Sequence, residues 1–532
     1  MSQESAEPRR VGLLRATGVV SAFTLLSRIL GLVRDIVIAN VFGVSRVTEA
    51  FFVANKIPNM MRRFFAEGAF SQGFVPVLND YKMRRTVGDT ATFVAAVSGT
   101  LGGFLLALTG VGVLFAPMLV IAIAPGFAAD DRFDLTVAML RWTFPYLLFV
   151  SLAALASGVL NSYGRFALPS LAPVLLNAAL IIAALLVAPQ LDEPGMALAG
   201  AVFVAGILQV LILLPSLQRL RLLRLPRWSP ASDGVKRVLK LMLPAMVGSS
   251  VAQINIFIDN VIASILMAGS VSWLYYSDRL MEFPLGVFGI ALATAILPQL
   301  SSQHASGRAA DFTATLDRGL RLVFAIGLPA TAGLIVMSGP LVITLFQRGA
   351  FTATDVVMTQ WSLVAFSTGL LGFMLVKVLA PGFFARLDTR TPLRCGLVAL
   401  AVNVVLNGTF VLLALRYGWV APHAGLAAAT SIAAWVNAAL LYRGLRQASV
   451  LAHHPGWPGL VGQVTVATVV MVATLLWLVP ASPTWTDWGQ LQRTSALLAW
   501  VGLGGVVFVV IAMGLGLRVG TFAAGTASQK ES

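Results

Sequence analysis

Residues that support covalent chemistry or metal binding are scarce in this sequence. Cysteine occurs once, as Cys395 in an apolar stretch, so intramolecular disulfides and multi-thiolate metal sites are excluded. The four histidines, His304, His423, His453 and His454, lack the spacing of metal ligands. The sequence also contains neither a Walker motif nor a nucleophile elbow. We therefore expect a chain without a cofactor and without enzymatic activity.

Charged residues are scarce as well, at 11% of the chain, whereas 58% of the residues are hydrophobic and the mean hydropathy is +0.86. Soluble domains carry about 25% charged residues, so the bilayer is the expected solvent of this chain. A helix that spans the hydrocarbon core needs about 20 apolar residues. Apolar runs predict an all-α polytopic membrane protein with fourteen transmembrane helices, at 13–42, 47–80, 90–124, 134–162, 166–189, 194–218, 236–268, 272–303, 314–339, 354–385, 391–415, 422–445, 459–480 and 493–517.

The 37 lysines and arginines are distributed unevenly between successive loops. Cytoplasmic loops of membrane proteins retain positive charge. When the N-terminus is placed inside, 24 of the 37 lie in cytoplasmic segments, and the outside loops hold only Arg46, Arg132, Arg348, Arg416 and Arg493. The pattern predicts a multi-pass inner-membrane protein with both termini in the cytoplasm. Because the net charge of +15 is dispersed among apolar segments, it does not indicate a nucleic-acid partner.

The two halves of the chain resemble each other. The segment DIVIA at 35–39 is echoed by DNVIA at 259–263, and further pairs follow in the same order at nearly the same separation: Lys56 with Arg279, Pro76 with Pro298, and Arg165 with Arg386. Repeated halves with a site at their interface are a transporter design. We therefore predict two pseudo-symmetric six-helix lobes plus two C-terminal helices. The predicted segments are an N-terminal lobe over 1–218, an amphipathic linker on the cytoplasmic surface over 219–235, a C-terminal lobe over 236–447, the two last helices over 459–518 and a cytoplasmic tail over 519–532.

The first, second and eighth predicted spans carry a cluster of ionisable residues, although each such side chain costs about 2.5–3.5 kcal/mol at the centre of the bilayer. These residues are Arg28, Arg34 and Asp35 in the first span, Glu49, Lys56, Arg62, Arg63 and Glu67 in the second, and Asp278, Arg279 and Glu282 in the eighth. A guanidinium binds phosphate oxygens bidentately and stays charged. A cavity between the lobes lined by these arginines would take an anion such as a diphosphate. The alternative is that they are ion-paired structural residues or lie at the interface with their charges in water.

Prolines and glycines are expected to interrupt two of these spans. Pro58, Gly68 and Gly73 fall in the second span, and Pro284 falls in the eighth together with two glycines. Broken helices at corresponding places in two repeats point to a binding site.

At these residues the sequence resembles the MurJ (MviN) family of lipid II flippases, within the multidrug/oligosaccharidyl-lipid/polysaccharide exporter superfamily. The resemblance covers about residues 1–518. The motifs that carry it are SRILGLVRD at 27–35, TEAFF at 48–52, PNMMRR at 58–63, FAEGAFSQ at 65–72 and GSVSWLYYSDRLMEFP at 269–284.

The resemblance implies a lobe of helices 1–6, a lobe of helices 7–12, and a groove on helices 13 and 14 for an undecaprenyl tail. The arginines that the family requires match Arg28, Arg34, Arg62 and Arg279. The implied acidic residues of the cavity and its gates are Glu49, Glu282, Asp35 and Asp278. At the start of helix two the family typically has Asp where this chain has Glu49, which keeps the charge but changes its reach.

Some members of the family bind sodium between helices 7, 11 and 12, which implies coupling to a monovalent cation. The matching positions are Asp259, Asn403, Asn407 and Thr430. Asn407 stands where a carboxylate is expected, which weakens such a site. The alternative is that these amides form hydrogen bonds between helices.

Three functions remain open at this stage. The first is alternating access that flips lipid II, an undecaprenyl-diphosphate-linked disaccharide peptide, to the outer leaflet for cell-wall synthesis, with membrane lipids and cell-wall synthesis enzymes as partners. The second is a cation-coupled exporter of drugs or other lipid-linked oligosaccharides. An exporter of cationic drugs would favour acidic and aromatic cavity residues. The third is a scaffold that recruits cell-wall enzymes without transport.

Overall fold

The computed structural model describes residues 7–65, 69–451 and 456–517. These residues form helices and connecting loops, with no β-strand among them. Ten helical segments within the described ranges are long and apolar enough to cross a membrane. The all-α membrane fold is confirmed, whereas the exact number of fourteen spans stays a prediction.

The four predicted spans that are not among these ten are 13–42, 47–80, 236–268 and 272–303. Three of them carry the ionisable residues described above. Charged side chains lower the mean hydropathy of a helix, which is expected where that helix lines a polar interior instead of lipid.

The chain divides into two compact units, of which unit 1 comprises Met1–Ser272 with Arg348–Ala350, and unit 2 comprises Trp273–Gln347 with Phe351–Ser532. The helices of unit 1 are α1 (Glu7–Phe42), α2 (Arg46–Phe65), α3 (Ala69–Arg84), α4 (Val87–Leu114), α5 (Ala116–Ile123), α6 (Arg132–Thr143), α7 (Tyr146–Ser162), α8 (Ala167–Ile182), α9 (Gly195–Arg219) and α10 (Asp233–Ile265). Helix α11 (Ser270–Pro284) begins in unit 1 and continues in unit 2. The helices that follow are α12 (Ile290–Ala305), α13 (Ala309–Val336), α14 (Ser338–Phe346), α15 (Ala353–Ser367), α16 (Leu370–Phe384), α17 (Arg390–Tyr417), α18 (His423–Gln447), α19 (Trp457–Leu478), α20 (Ser482–Asp487) and α21 (Gln490–Gly514).

The order and length of the helices repeat. Helices α1 to α9 correspond one by one to α10 to α18. Helices α4 and α13 both have 28 residues, and α9 and α18 both have 25 residues. The internal repeat inferred from short sequence echoes is therefore visible in the secondary structure.

The compact units do not follow the boundary between the repeats. Helix α10 is the first helix of the second repeat, but it packs against α3 and belongs to unit 1. In unit 1, α1 packs against α8, α2 against α6, and α7 against α9. The predicted lobes over 1–218 and 236–447 describe the repeats, and their role as moving bodies stays a prediction.

A stack of aromatic rings forms part of the core of unit 1. Phe74 stacks on Phe70 with ring centroids 5.2 Å apart and on Phe93 at 5.9 Å, and Tyr81 stacks on Phe93 at 4.4 Å. Phe70, Phe74 and Phe93 are almost fully buried. Such ring pairs add about 0.5–1.5 kcal/mol beyond the burial of their surface, so they fix α3 against α4.

The segment between α9 and α10 is an extended strap on α4. The amide of Arg227 donates to the Ala95 carbonyl at 2.9 Å. A side chain at Gly99 would overlap the backbone of Arg227, and one at Gly103 would come within 2.6 Å of the Trp228 ring. The glycines of α4 thus provide the groove in which the strap lies. Its position at the membrane surface stays a prediction.

One predicted interruption is present and two are wrong. The π-helical turn Leu285–Gly289 follows Pro284, as a proline and two glycines would favour. Helix α2, in contrast, runs without a break through Pro58, and α3 runs through Gly73. Prolines are tolerated inside membrane helices because neighbouring groups satisfy the freed carbonyl. The predicted break at Gly68, and Glu67 beside it, lie outside the described residues.

Candidate functional site

Arg34 is held in a fixed orientation on α1. Its Nε and one terminal nitrogen donate to Oδ1 of Asp35 at 2.9 and 2.7 Å, and its other terminal nitrogen donates to Oδ1 of Asn177 on α8 at 3.0 Å. The Nδ2 of Asn177 donates to the Ser27 carbonyl at 3.0 Å, which fixes the amide. The side chains of Arg34 and Asp35 are 14% and 3% exposed. The guanidinium is therefore pre-oriented and partly neutralised by its neighbour.

The other two arginines of unit 1 are more accessible. Arg28 precedes Arg34 on α1 and is exposed, and Arg62 is half-buried in the last turn of α2. The Nε of Arg62 donates to Oδ1 of Asn59 at 3.3 Å. Asn59 in turn donates to the Asn55 carbonyl at 3.0 Å. An asparagine therefore positions Arg62 as Asn177 positions Arg34.

Glu49 is buried in an ion pair that the sequence did not predict. Its side chain is 2% exposed and accepts from a terminal nitrogen of Arg132 at 2.6 Å. Arg132 also pairs with Asp130 and stacks over the Phe127 ring at 4.1 Å. The hydrogen bond from Arg132 lowers the pKa of Asp130, although partial burial opposes this shift. The sequence pattern placed Arg132 among five basic residues in outside loops. Because Arg132 and Glu49 are 83 positions apart in the chain, no local spacing indicated that they pair.

The second carboxylate oxygen of Glu49 binds the first turn of α11. It accepts from the Val271 amide at 3.1 Å, one of the donors that a helix N-terminus leaves without a partner inside the helix. The negative charge is also favourable at the positive end of the helix dipole. Beside it, the Ser272 hydroxyl donates to the Thr48 hydroxyl at 3.3 Å. Glu49 therefore links Arg132 of α6 to the start of α11.

In unit 2, Arg279 and Glu282 form the pair expected from their spacing on α11. The two charged groups are 3.2 Å apart and their side chains are 41% and 47% exposed. The guanidinium also lies 5.1 Å from the centre of the Tyr275 ring. Asp278 is half-buried on the same helix. An exposed pair of this kind contributes little to stability, so Arg279 can exchange Glu282 for another anion at small cost.

The four predicted arginines are divided between the compact units. Arg28, Arg34 and Arg62 belong to unit 1, and Arg279 belongs to unit 2. Their convergence on one cavity stays a prediction.

The residues matched to a sodium site are also divided. In unit 2, Asn407 donates to Asn403 at 2.9 Å and Asn403 donates to Thr430 at 3.1 Å, which links α17 to α18. In unit 1, Asp259 accepts from Asn255 at 3.2 Å on α10. The amide of Asn403 thus forms a hydrogen bond between two helices, and cation binding stays a prediction. No group of three His, Cys, Asp or Glu side chains in the described ranges is arranged to hold a metal ion.

A second buried polar cluster anchors α11 within unit 2. The indole nitrogen of Trp273 donates to Oδ1 of Asp355 at 3.0 Å, and its ring lies 4.9 Å from the ring of His423. Asp355 also caps α15 through Thr352. His423 is fully buried and its Nε2 lies 3.0 Å from the Met358 carbonyl. At the separation that aligns 35–39 with 259–263, Trp273 corresponds to Glu49. Glu49 binds Arg132 on α6, and Trp273 binds Asp355 on α15, the equivalent helix of the second repeat.

The two last helices are attached to unit 2 by a further cluster. The indole nitrogen of Trp457, at the start of α19, donates to Oδ1 of Asp317 on α13 at 2.7 Å. Arg321 binds the other oxygen of Asp317 at 2.6 Å and lies 5.5 Å from the Trp457 ring. Helix α19 packs against both α13 and α21. The predicted tail groove over 459–518 therefore starts from a fixed point on α13.

The family model for "Lipid II flippase MurJ" matches residues 38–492. A "Probable lipid II flippase MurJ" from Vibrio cholerae is 44% identical over 524 residues, which cover 97% of this chain and 98% of the relative. The "Lipid II flippase MurJ" of Burkholderia cenocepacia is 43% identical over 472 residues, covering 88% and 90%.

Solved structures show the same fold. An inward closed lipid II flippase MurJ superposes with a TM-score of 0.77 at 24% identity, covering 93% of this chain and 97% of that one. An inward-facing multidrug resistance transporter of the MATE family, in the MOP superfamily, gives 0.66 at 15% identity, covering 80% and 95%. The fold is thus shared with transporters of different cargo. The family model and the relatives at 43–44% identity, in contrast, match this chain to lipid II flippases. The chain belongs to the lipid II flippase MurJ family.

Proposed function

We propose that this protein moves lipid II from the inner to the outer leaflet of the bacterial cytoplasmic membrane by alternating access. It is a multi-pass protein with both termini in the cytoplasm, and it moves its substrate without changing a covalent bond. Lipid II carries a diphosphate between its polyprenyl tail and its sugars. Enzymes that consume the product at the outer leaflet are the expected protein partners.

The observation that carries this proposal is the set of arginines on α1, α2 and α11, which are predicted to cross the membrane. Arg34 and Arg62 are partly buried and are each positioned by an asparagine. Holding a guanidinium in a long side chain normally costs rotamer entropy of about 2 kcal/mol. When the protein has already oriented it, less of that cost falls on binding.

The diphosphate is expected to exchange partners with the acidic side chains. Asp35 accepts from Arg34 and Glu282 pairs with Arg279. A phosphate offers more acceptor oxygens than either carboxylate and binds the planar guanidinium bidentately. In the empty carrier the carboxylates of Asp35 and Glu282 bind the arginines. In the loaded carrier the phosphates replace these carboxylates. Arg28, which is exposed, assists at the entrance.

The energy source is proposed to be electrical, with a monovalent cation as a second contribution. Each elementary charge that moves across the membrane potential is worth about 2.3 kcal/mol per 100 mV. The empty carrier is more cationic than the carrier loaded with a diphosphate, so the potential would drive the return step. Asp259, Asn403, Asn407 and Thr430 are the proposed cation ligands.

The test measures lipid II at the outer leaflet of cells depleted of this protein. The cells are complemented with wild type, with Arg34→Ala, Arg62→Ala or Arg279→Ala, or with Arg416→Ala as a matched control, since Arg416 is exposed in the last turn of α17. Membrane levels of each variant are measured in parallel. Wild type and Arg416→Ala should restore exposure of lipid II, whereas the other three should not.

Restoration by all variants would make the arginines structural and would favour a scaffold. A cation-coupled drug exporter would leave lipid II exposure unchanged in every strain and alter sensitivity to cationic drugs instead. The arginines of the proposed site, Arg34, Arg62 and Arg279, would repel a cationic drug, which argues against that cargo.

A further inference from the structure

The loop between α5 and α6 closes over the end of α10. The amide of Gly126 donates to the Ser264 hydroxyl at 3.2 Å, and Asn260 donates to the Ile123 carbonyl at 3.0 Å. Asn260 and Ser264 are 4% and 1% exposed. A side chain at Gly126 would overlap the Ser264 carbonyl oxygen. The loop and the helix end are in backbone contact, and only glycine permits that approach.

The loop between α14 and α15 closes over the end of α1 in the same way. The Ala350 amide donates to the Asn40 carbonyl at 3.0 Å. A side chain at Gly349 would overlap the Asn40 carbonyl oxygen, and one at Gly43 would overlap the Ala350 carbonyl oxygen. Gly43 and Gly349 also have positive φ angles of 59° and 53°, which L side chains rarely adopt.

The two contacts are equivalent under the internal repeat, and each crosses from one repeat to the other. The repeat that aligns 35–39 with 259–263 also aligns Asn40 with Ser264, and it brings Gly126 into register with Gly349. The α5–α6 loop of the first repeat thus contacts α10, the first helix of the second repeat. The α14–α15 loop of the second repeat contacts α1, the first helix of the first repeat. The hydrogen bond from Ser272 to Thr48 joins a third equivalent pair. All these residues belong to unit 1.

We propose that Gly126 and Gly349 are the contact points of a reciprocal clamp, which must open and close once in each transport cycle. Both loops and both helix ends lie on the side predicted to face the periplasm. The clamp rests on the proposed function, because a carrier with alternating access has to seal this side before it can receive substrate from the other. Since the repeat relates the two contacts, loosening one is expected to loosen the other.

Backbone contact through glycine suits such a clamp. Each of the two contacts contains few hydrogen bonds. Each hydrogen bond contributes about 0.5–1.5 kcal/mol, which leaves a closed state that substrate or membrane potential can open. The same contact is sensitive to a single methyl group, because the overlapping atoms belong to the backbone and cannot rotate away.

The experiment measures the contact at Gly349 while the contact at Gly126 is changed. Cys395→Ser removes the native thiol, and Asn40→Cys with Ala350→Cys places a thiol on each side of the Gly349 contact. A short bifunctional thiol reagent then links the two positions in membranes. The yield is compared for the otherwise wild-type chain, for Gly126→Ala, and for Gly110→Ala, whose added carbon meets no atom within 4 Å.

Gly126→Ala should lower the yield several-fold and lower lipid II exposure with it, while Gly110→Ala should change neither. Ser264→Ala removes only the hydroxyl that accepts from Gly126 and should give a smaller decrease, which keeps the test valid if Gly126→Ala does not insert. An unchanged yield in both variants would overturn the clamp. So would a cross-linked chain that still exposes lipid II. Failure of the uncross-linked parent to restore lipid II would instead count against the proposed function, since the yield does not depend on transport.

Discussion

Replacing Arg132 by methionine is expected to destabilise unit 1 by about 3–5 kcal/mol, the cost of leaving one partner of a buried ion pair alone. Glu49 would lose the guanidinium 2.6 Å away and keep only the Val271 amide as a donor. Its side chain is 2% exposed, so water cannot replace the lost partner. Asp130 is 34% exposed and would be solvated, so it adds little to this cost.

The size of the effect should depend on the charge of Glu49. In the double variant Glu49→Gln with Arg132→Met, no buried charge remains, and the loss should fall to about 1–2 kcal/mol because uncharged replacements of a buried pair are often tolerated. Glu49→Gln alone should lie in between, since Asp130 continues to pair with Arg132. The double variant is therefore expected to lose about 2–3 kcal/mol less than Arg132→Met, which would show that the two contacting sites are coupled.

The assay is chemical or thermal unfolding of the purified protein in detergent for wild type, both single variants and the double variant. The pH dependence gives a second readout. Because the pKa of Asp130 is lowered in the folded protein, its contribution is present above its ordinary value of about 3.9 and is lost as the pH falls through the folded value. Arg132→Met should remove that acid-side loss. A loss under about 1 kcal/mol for Arg132→Met, or a double variant less stable than Arg132→Met, would show that the pair is not a buried ion pair of this strength.

Three further predictions concern single contacts. Asn177→Leu removes the acceptor that holds Arg34 and should lower the rate of lipid II exposure about tenfold or more, since a hydrogen bond to a charged group contributes about 1.5–3 kcal/mol; an unchanged rate at equal protein level would contradict this. Trp457→Phe removes the donor to Asp317 and should speed hydrogen exchange in the first turn of α19, whereas equal protection would show that packing alone holds this helix. Leu387→Gly should stabilise the protein by about 0.5–1 kcal/mol in the same unfolding assay, because Leu387 is exposed and has a φ of 61°; a loss of stability would show that this leucine has a contact of its own.

Much of the fold follows from one-dimensional patterns. Apolar runs predict helices because the bilayer forces each backbone group to be satisfied within its own segment. The echo between 35–39 and 259–263 located a repeat that the helix bounds reproduce. Pro284 marked a real irregularity, whereas Pro58 did not, since the local sequence does not show whether neighbours can donate a hydrogen bond to the freed carbonyl.

The contacts of the site were less accessible to sequence reasoning. Arg279 and Glu282 are neighbours on one helix, so their spacing predicted the pair. The partners of Arg34 and Glu49, which are Asn177 and Arg132, lie on other helices far along the chain, and a single sequence has no local pattern that connects them. Its position beside polar residues assigned Arg132 to a loop, whereas it is the first residue of α6 and its side chain is buried.

The most direct measurement is lipid II movement in vesicles that contain only this purified protein, a membrane potential and lipid II. An impermeant reagent that reacts with the head group reports how much substrate reaches the far leaflet with time. Movement that depends on the potential is expected with wild type and Arg416→Ala, and movement at the rate of empty vesicles is expected with Arg34→Ala, Arg62→Ala and Arg279→Ala. Movement at the wild-type rate in these three variants would contradict the claim that the membrane arginines carry the diphosphate.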